Sequence, residues 1–378
     1  MIPIQRAGLY IHIPFCLSKC PYCGFYSTTS VSQIPAFLEG LFREMEMAKG
    51  RDPLGPFDTL YLGGGTPSLL DPSQLERLLN EVRKEFDLSP ESEITIEANP
   101  GDLNRSYLRS ISELGINRIV IGVQSFEDEV LAFLGRRHSA AEAFQALEWV
   151  REAGFQNLGI DLIYGVPGQG LEAWLQDLKQ ALSFLPEHLS CYELTFEPET
   201  PLGRRFRSKE LPAPKEEARY EFFLRTSEFL EGNGYLHYEV SNFAREANYA
   251  SRHNQKYWDH SPYLGLGPSA HSFQSDRRWW NHRCLDRYLE AIAQGTLPME
   301  GQEVLTLEQL KLETLFLSLR TRRGIDLADF KARFGSDLLT DLKGVLTRLE
   351  EEGLILLQEG HLSPTVKGLA VADGMALL

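Results

Sequence analysis

Six short apolar, β-branched runs alternate with stretches of helical periodicity along the first half of this chain. That alternation sets the class of fold before any single residue is considered. The runs fall at residues 9–13, 59–62, 94–97, 118–122, 157–163 and 189–194. The intervening segments 34–48, 72–86, 104–114, 139–153 and 172–185 place their apolar residues on one helical face and begin near Ser, Asp or Asn caps. Repeated strand–helix units specify a parallel sheet that curls toward a barrel. Six units are too few to close an eight-fold barrel. The expected fold is therefore α/β, an open three-quarter (β/α)6 barrel, and 378 residues leave room for a smaller second domain.

Three of the five cysteines, Cys16, Cys20 and Cys23, lie within eight residues just after the first run. A disulfide framework is the habit of small secreted chains with even cysteine sets, which this is not. A structural zinc site would need a fourth ligand, and only His12 lies near, on a strand that need not turn it toward the loop. Three thiolates instead suit a 4Fe–4S cluster, leaving one iron with an open coordination site. That site can hold the amino and carboxylate groups of S-adenosylmethionine while an electron from the cluster cleaves the sulfonium. Cys191 and Cys284 have no cysteine neighbour and read as buried thiols.

The other polar residues of note fall where βα barrels gather their chemistry, at the C-terminal ends of strands. Gly63-Gly64-Gly65-Thr66-Pro67 follows the second strand, Glu97 ends the third, Gln124 follows the fourth, Asp161 lies in the fifth, and Tyr192, Glu193 and Thr195 close the sixth. A glycine run lets backbone amides approach a ligand. Here it lacks the Lys-Ser/Thr of a phosphate loop, which disfavours nucleoside triphosphates. Carboxylates and amides at strand ends suit a ribose and a cationic sulfonium. Arg136, twelve residues past Gln124, could pair with a carboxylate.

The Cys-x3-Cys-x2-Cys spacing, with Tyr22 before the last cysteine, resembles the signature of the radical S-adenosylmethionine superfamily. The wider wording from Tyr10 to Cys16 looks like that superfamily's oxygen-independent coproporphyrinogen III oxidase-like branch. The resemblance implies that Cys16, Cys20 and Cys23 hold the cluster. It places Tyr10, Tyr22, Gly64, Gly65, Thr66, Glu97, Gln124, Arg136, Asp161 and Thr195 around S-adenosylmethionine.

Four later motifs narrow the branch. They are the run from Tyr192 to Leu202, the Tyr238–Ala244 stretch, His253-Asn254-Gln255-Lys256-Tyr257-Trp258, and Gly265-Leu266-Gly267-Pro268-Ser269-Ala270-His271. Together they resemble the haem chaperone family HemW more than the oxidase. Coproporphyrinogen dehydrogenases carry a fourth cysteine two residues after the third, and here that position is Phe25. The implied function is a haem chaperone that binds haem, a 4Fe–4S cluster and S-adenosylmethionine and delivers haem to acceptor haemoproteins, membrane-bound cytochromes among the options. The alternative is an oxygen-independent coproporphyrinogen III dehydrogenase, and whether the cofactor is turned over stays open. His253, beside flat aromatic side chains, is the first candidate for a haem ligand and His271 the second.

From residue 305 the pattern becomes three amphipathic helices, at 307–320, 327–334 and 337–352, with a hairpin at 353–357 and 361–363 and a terminal helix from Pro364. This reads as a small winged-helix-like domain. Its third helix carries Asp337, Asp341, Glu350, Glu351 and Glu352, a sign that repels phosphate. The net charge of −15 likewise argues against nucleic acid as a partner. The expected division is 1–240 for the barrel, 241–304 for a connecting segment and 305–378 for the C-terminal domain. No apolar run reaches the ~18 residues of a membrane span and no signal peptide is evident, so a cytoplasmic protein is expected, with a homodimer among the options.

Overall fold

Strand β1 (Ala7–Ile13) buries every residue but Tyr10, which is partly open. That is the pattern of a strand covered on both faces, as in a parallel barrel sheet. The computed structural model describes residues 6–50, 54–212 and 215–375. After β1 come α1 (Ile34–Ala48), β2 (Phe57–Gly64), α2 (Pro72–Glu85), β3 (Leu88–Ala98), α3 (Arg105–Glu113), β4 (Arg118–Gln124), α4 (Asp128–Phe133), α5 (Ala140–Glu152), β5 (Leu158–Tyr164), α6 (Leu171–Leu182) and β6 (His188–Glu193). The expected caps do their work: Asp71 and Ser139 form capping boxes with Gln74 and Glu142, and Asn104 accepts from the Tyr107 amide. Strands β1 to β6 pair in parallel in chain order, and β6 does not meet β1. The barrel is open.

Both of its edges are extended. Beyond α7 (Pro201–Arg207) and α8 (Glu216–Gly232), the hairpin β7 (Leu236–Glu239) and β8 (Asn242–Ala244) adds antiparallel to β6. Helix α9 (Arg252–Trp258) follows, and then β9 (Tyr263–Leu266), which runs parallel to β1 on its free edge. Strands β10 (His271–Gln274) and β11 (Arg277–Asn281), helix α10 (Leu285–Ala293) and strand β12 (Met299–Val304) complete a twelve-stranded sheet. The expected connecting segment 241–304 therefore supplies five strands of this sheet. Its strands are three to six residues long, too short to signal themselves without their partners.

The C-terminal part comprises α11 (Leu307–Ser318), β13 (Ile325–Asp326), α12 (Leu327–Phe334), α13 (Leu338–Asp341), α14 (Lys343–Glu351), β14 (Ile355–Gln358), β15 (His361–Pro364), α15 (Val366–Ala370) and α16 (Ala372–Met375). Two expectations change. The wing has three strands, because Ile325 and Asp326 pair with β15. The single helix at 337–352 is two, because the Leu342 backbone leaves the helical region between them (φ −115°, ψ 20°). This part has its own hydrophobic core around Phe330, Leu346 and Leu349, separate from the barrel core. No helix among the described residues is long and apolar enough to cross a membrane.

Candidate functional site

The loop after β1 is held in place from several directions. Cys16 N–H donates to the Thr28 carbonyl (3.0 Å) and Thr28 N–H to the Pro14 carbonyl (2.7 Å), pinning both ends of the loop. Leu202 N–H, at the start of α7, donates to the Pro21 carbonyl (2.9 Å). Gly135, at φ +66°, lets the Pro21 ring approach so closely that an added Cβ would lie 2.6 Å from it. Arg283 donates to the Gly24 carbonyl (3.3 Å). The motif around Leu202 thus has a mechanical role: it clamps the cysteine loop.

Cys16, Cys20 and Cys23 are all free and partly exposed. They share a cavity of about 70 Å³ with Tyr22, Gly64, Gly65, Thr66, Asn99 and Arg136. Thr66 Oγ1 donates to Cys16 Sγ (3.4 Å), and Arg136 Nη1 lies 3.5 Å from Cys20 Sγ. Among the described residues no three His, Cys, Asp or Glu side chains are grouped to grip one metal ion. A cubane asks for something different, since each cysteine binds its own iron and the sulfurs stand apart. Three thiols flanked by hydrogen-bond donors around one cavity fit a cluster.

Behind the cavity stands the glycine run. Gly64 has φ +109°, and an added Cβ would meet the His12 ring at 2.6 Å; at Gly65 it would meet the Phe15 carbonyl oxygen at 2.6 Å. Only glycine lets the loop pack this closely against β1. His12 Nε2 donates to the Tyr26 carbonyl (2.9 Å) and its Nδ1 accepts from Tyr10 OH (3.1 Å). Burial holds its pKa down at about 4, so the ring is a neutral brace between the cysteine loop and the glycine turn.

Glu97 accepts from Tyr61 OH (2.7 Å) and from the Gly64 amide (3.2 Å). Burial pushes its pKa up to about 7, against the hydrogen bond from Tyr61. Burial likewise raises Asp161 to about 6, and its Oδ1 has no partner. Gln124 sits at φ +71° beside a bulge in β4, and its buried Oε1 is also unpaired. A left-handed glutamine with an orphan acceptor is the kind of strain found at ligand sites. Two desolvated carboxyls, with the unpaired Asp161 Oδ1 and Gln124 Oε1 among their acceptors, fit a cationic ligand carrying hydroxyls. Thr195, just past β6, is exposed and opens on the rim. Glu193 does not: it pairs with Arg219 of α8. Arg136 donates to the Gly122 carbonyl (2.7 Å) and faces the cysteine loop, with its Nε unpaired.

The two haem candidates part company. His253 is 1% exposed. Its Nδ1 lies 2.8 Å from Thr59 Oγ1 and its Nε2 2.9 Å from Tyr257 OH, so neither nitrogen is free for iron. It stacks on Tyr61 (5.1 Å between centroids) at the N-terminal end of the barrel. There α9 closes the lumen, with its first amides bonded to Glu93. Beside these aromatics the His253 ring is packed and hydrogen-bonded. His271 is exposed, and Cys284, expected to be buried, is exposed as well. The sequence reading missed Tyr61, whose only trace is its shared lumen face with Tyr10 and Glu97.

Comparison with known proteins places the same elements in a wider set. The Radical SAM superfamily profile matches residues 10–181 and the HemN C-terminal domain profile residues 305–371. The heme chaperone HemW of Bacillus subtilis (strain 168) is 35% identical over 95% of this chain and 95% of its own length. That of Mycobacterium tuberculosis (strain ATCC 25618 / H37Rv) is 35% identical over 99% and 95%. The solved structure of coproporphyrinogen III oxidase (HemN) from Escherichia coli, a radical SAM enzyme, superposes with a TM-score of 0.84 at 26% identity, covering 99% of this chain and 90% of that one.

Proposed function

This chain belongs to the family of the heme chaperone HemW, within the radical SAM superfamily, and on that premise we propose that it binds haem and passes it to acceptor haemoproteins. Its cofactors are a 4Fe–4S cluster, held by Cys16, Cys20 and Cys23, and S-adenosylmethionine, held by the rim from Tyr10 to Thr195. When bound, the cluster supplies one-electron reduction of a sulfonium. The chain's own residues do the rest. Gly64 and Gly65 allow close approach, Glu97 and Asp161 offer acceptors, and His12 braces the loop.

The observation that carries the chaperone reading is full-length similarity to chaperones of this name. The coproporphyrinogen match rests on a lower identity. At the position where the oxidase has its fourth cysteine, Phe25 stands 68% exposed and brings no thiol to the site.

The test is anaerobic reconstitution followed by two assays. The chain should hold about four irons, as one cubane demands, and should keep added haem through gel filtration. Coproporphyrinogen given with S-adenosylmethionine and a reductant should remain unconverted. Protoporphyrinogen at turnover rates would transfer the assignment to the oxidase.

A further inference from the structure

Each of the three loop cysteines has its own hydrogen-bond donor, and the donors are of three kinds. Thr66 Oγ1 donates to Cys16 Sγ (3.4 Å), Arg136 Nη1 to Cys20 Sγ (3.5 Å), and the Phe25 backbone N–H faces Cys23 Sγ. Both distances suit sulfur, a larger and weaker acceptor than oxygen.

The two side-chain donors have no other task that would explain them. Thr66 is the N-terminal cap of the turn at Pro67–Leu69, yet its hydroxyl caps nothing. Cys16 Sγ is its one side-chain hydrogen-bond partner among the described residues. The side chain is 8% exposed, where an unpaired hydroxyl would be costly. Arg136 is anchored by Nη2 to the Gly122 carbonyl (2.7 Å), and the acidic groups facing it are Tyr22 and Cys20. No carboxylate pairs with it among the described residues. A half-buried guanidinium in that position fits an anionic occupant of the cysteine loop. Its Nε stays unpaired and is left over for the carboxylate of S-adenosylmethionine, so the two roles use different atoms.

The shared effect of the donors follows from charge. A 4Fe–4S cluster bound by three thiolates is anionic, and reduction adds one more negative charge, part of it on the sulfurs. Donors aimed at those sulfurs stabilise the reduced form more than the oxidised one, which raises the reduction potential.

We propose that Thr66, Arg136 and the Phe25 amide form a donor set that stabilises the reduced cluster, making the site a working one-electron centre. Thr66 and Arg136 are positioning residues in this role, since they act through the cysteine sulfurs. The inference rests on the cluster assignment above and does not need the haem reading. One electron from an external reductant enters the cluster, and no bond is broken.

The full-length chain is reconstituted anaerobically without S-adenosylmethionine and titrated with titanium(III) citrate. Electron paramagnetic resonance of the reduced cluster gives the midpoint potential. Thr66→Val should keep its iron and weaken the reduction equilibrium roughly three- to tenfold, tenfold being about 59 mV for one electron. Thr66→Ser keeps the hydroxyl and should return to the parent's value. Arg136→Gln removes the charge as well and should lower the midpoint further. Thr28→Val is the control, because the Thr28 backbone pins the loop while its hydroxyl accepts from the Ser30 amide. Its midpoint should match the parent's. Should valine at position 66 keep iron out, Thr66→Ala and Arg136→Gln carry the measurement. Midpoints in the Thr66 and Arg136 variants equal to the parent's, or above it, overturn the assignment, since the donors then only hold the loop. A parent cluster that titanium(III) citrate cannot reduce overturns it as well. A parent chain that takes up no iron removes the cluster itself, a different failure.

Discussion

At the scale of single residues, the chemistry-bearing positions were legible where they are tied to local order. The three cysteines announce themselves by spacing, Glu97 and Gln124 by falling at the ends of separate strands, and Asp161 by being a carboxylate inside an apolar one. His12 and Tyr61 were not legible, because each acts through a partner fourteen or thirty-six residues away. The contacts define a measurable hierarchy. Glu97→Gln, Gln124→Ala and Asp161→Asn should each weaken S-adenosylmethionine binding by roughly 1–3 kcal/mol, the cost of leaving buried polar groups unmatched. Iron content should not change. Tyr61→Phe should produce a smaller loss, since it removes only the donor that orients Glu97. His253→Ala should resemble Tyr61→Phe in this titration, because its ring supports Tyr61. Isothermal titration on the reconstituted variants checks the order; unchanged affinity in all three rim variants would mean that the strand ends do not form the site.

At the scale of elements, six strand–helix units could be read from periodicity because each strand is buried on both faces and each helix on one. The extension from β7 to β12 could not, since its pairing partners lie far away in sequence. One buried carboxylate shows how such a region is held. Glu44 on α1 accepts from the Gly267 amide (2.8 Å), Asn281 Nδ2 (2.5 Å) and Tyr288 OH (2.6 Å), tying α1 to the glycine loop, β11 and α10. Gly267 itself needs φ +90°, where an added Cβ would lie 2.6 Å from the His12 carbonyl oxygen. The Gly-Leu-Gly-Pro motif is therefore a seam between the barrel and its extension. Glu44→Ala leaves three buried donors unmatched and should destabilise the chain by about 3 kcal/mol or more, at ~1–3 kcal/mol for each. Burial pushes the Glu44 pKa up to about 7. The folded state then holds its proton more tightly than the unfolded state, whose carboxyl titrates near 4.5. Its contribution to stability is complete below that value and declines as pH rises through about 7. Glu44→Gln cannot titrate, so the parent's stability relative to this variant should fall between pH 4.5 and 7.5 in urea melts. A constant difference would mean that Glu44 is ionised throughout.

At the scale of the whole molecule, the C-terminal part was legible as a separate unit but not in how it docks. Its acidic helix reads as a solvated face, and the docking adds backbone and charged contacts to the packing of α15 on α8 and of α11 on α9. Val240 N–H donates to the Arg320 carbonyl (2.9 Å) and Arg322 N–H to the Tyr238 carbonyl (3.0 Å). Glu313 reaches Arg278 (2.9 Å) and His260 (3.4 Å), and Arg323 pairs with Asp259. Such contacts exchange readily for water, whereas the two hydrophobic cores do not merge. An interface of this kind couples domains weakly. Calorimetry should therefore resolve two unfolding transitions rather than one. Phe330, 2% exposed in the smaller core, identifies one of them. Phe330→Ala should cost ~3–5 kcal/mol and lower only that transition. S-adenosylmethionine at about a hundred times its dissociation constant should add ~2.7 kcal/mol to the other transition alone, because every rim residue belongs to the barrel. A single transition shifted by both perturbations would show that the polar seam binds the two cores into one cooperative unit. Cofactor occupancy would then be transmitted to the C-terminal face.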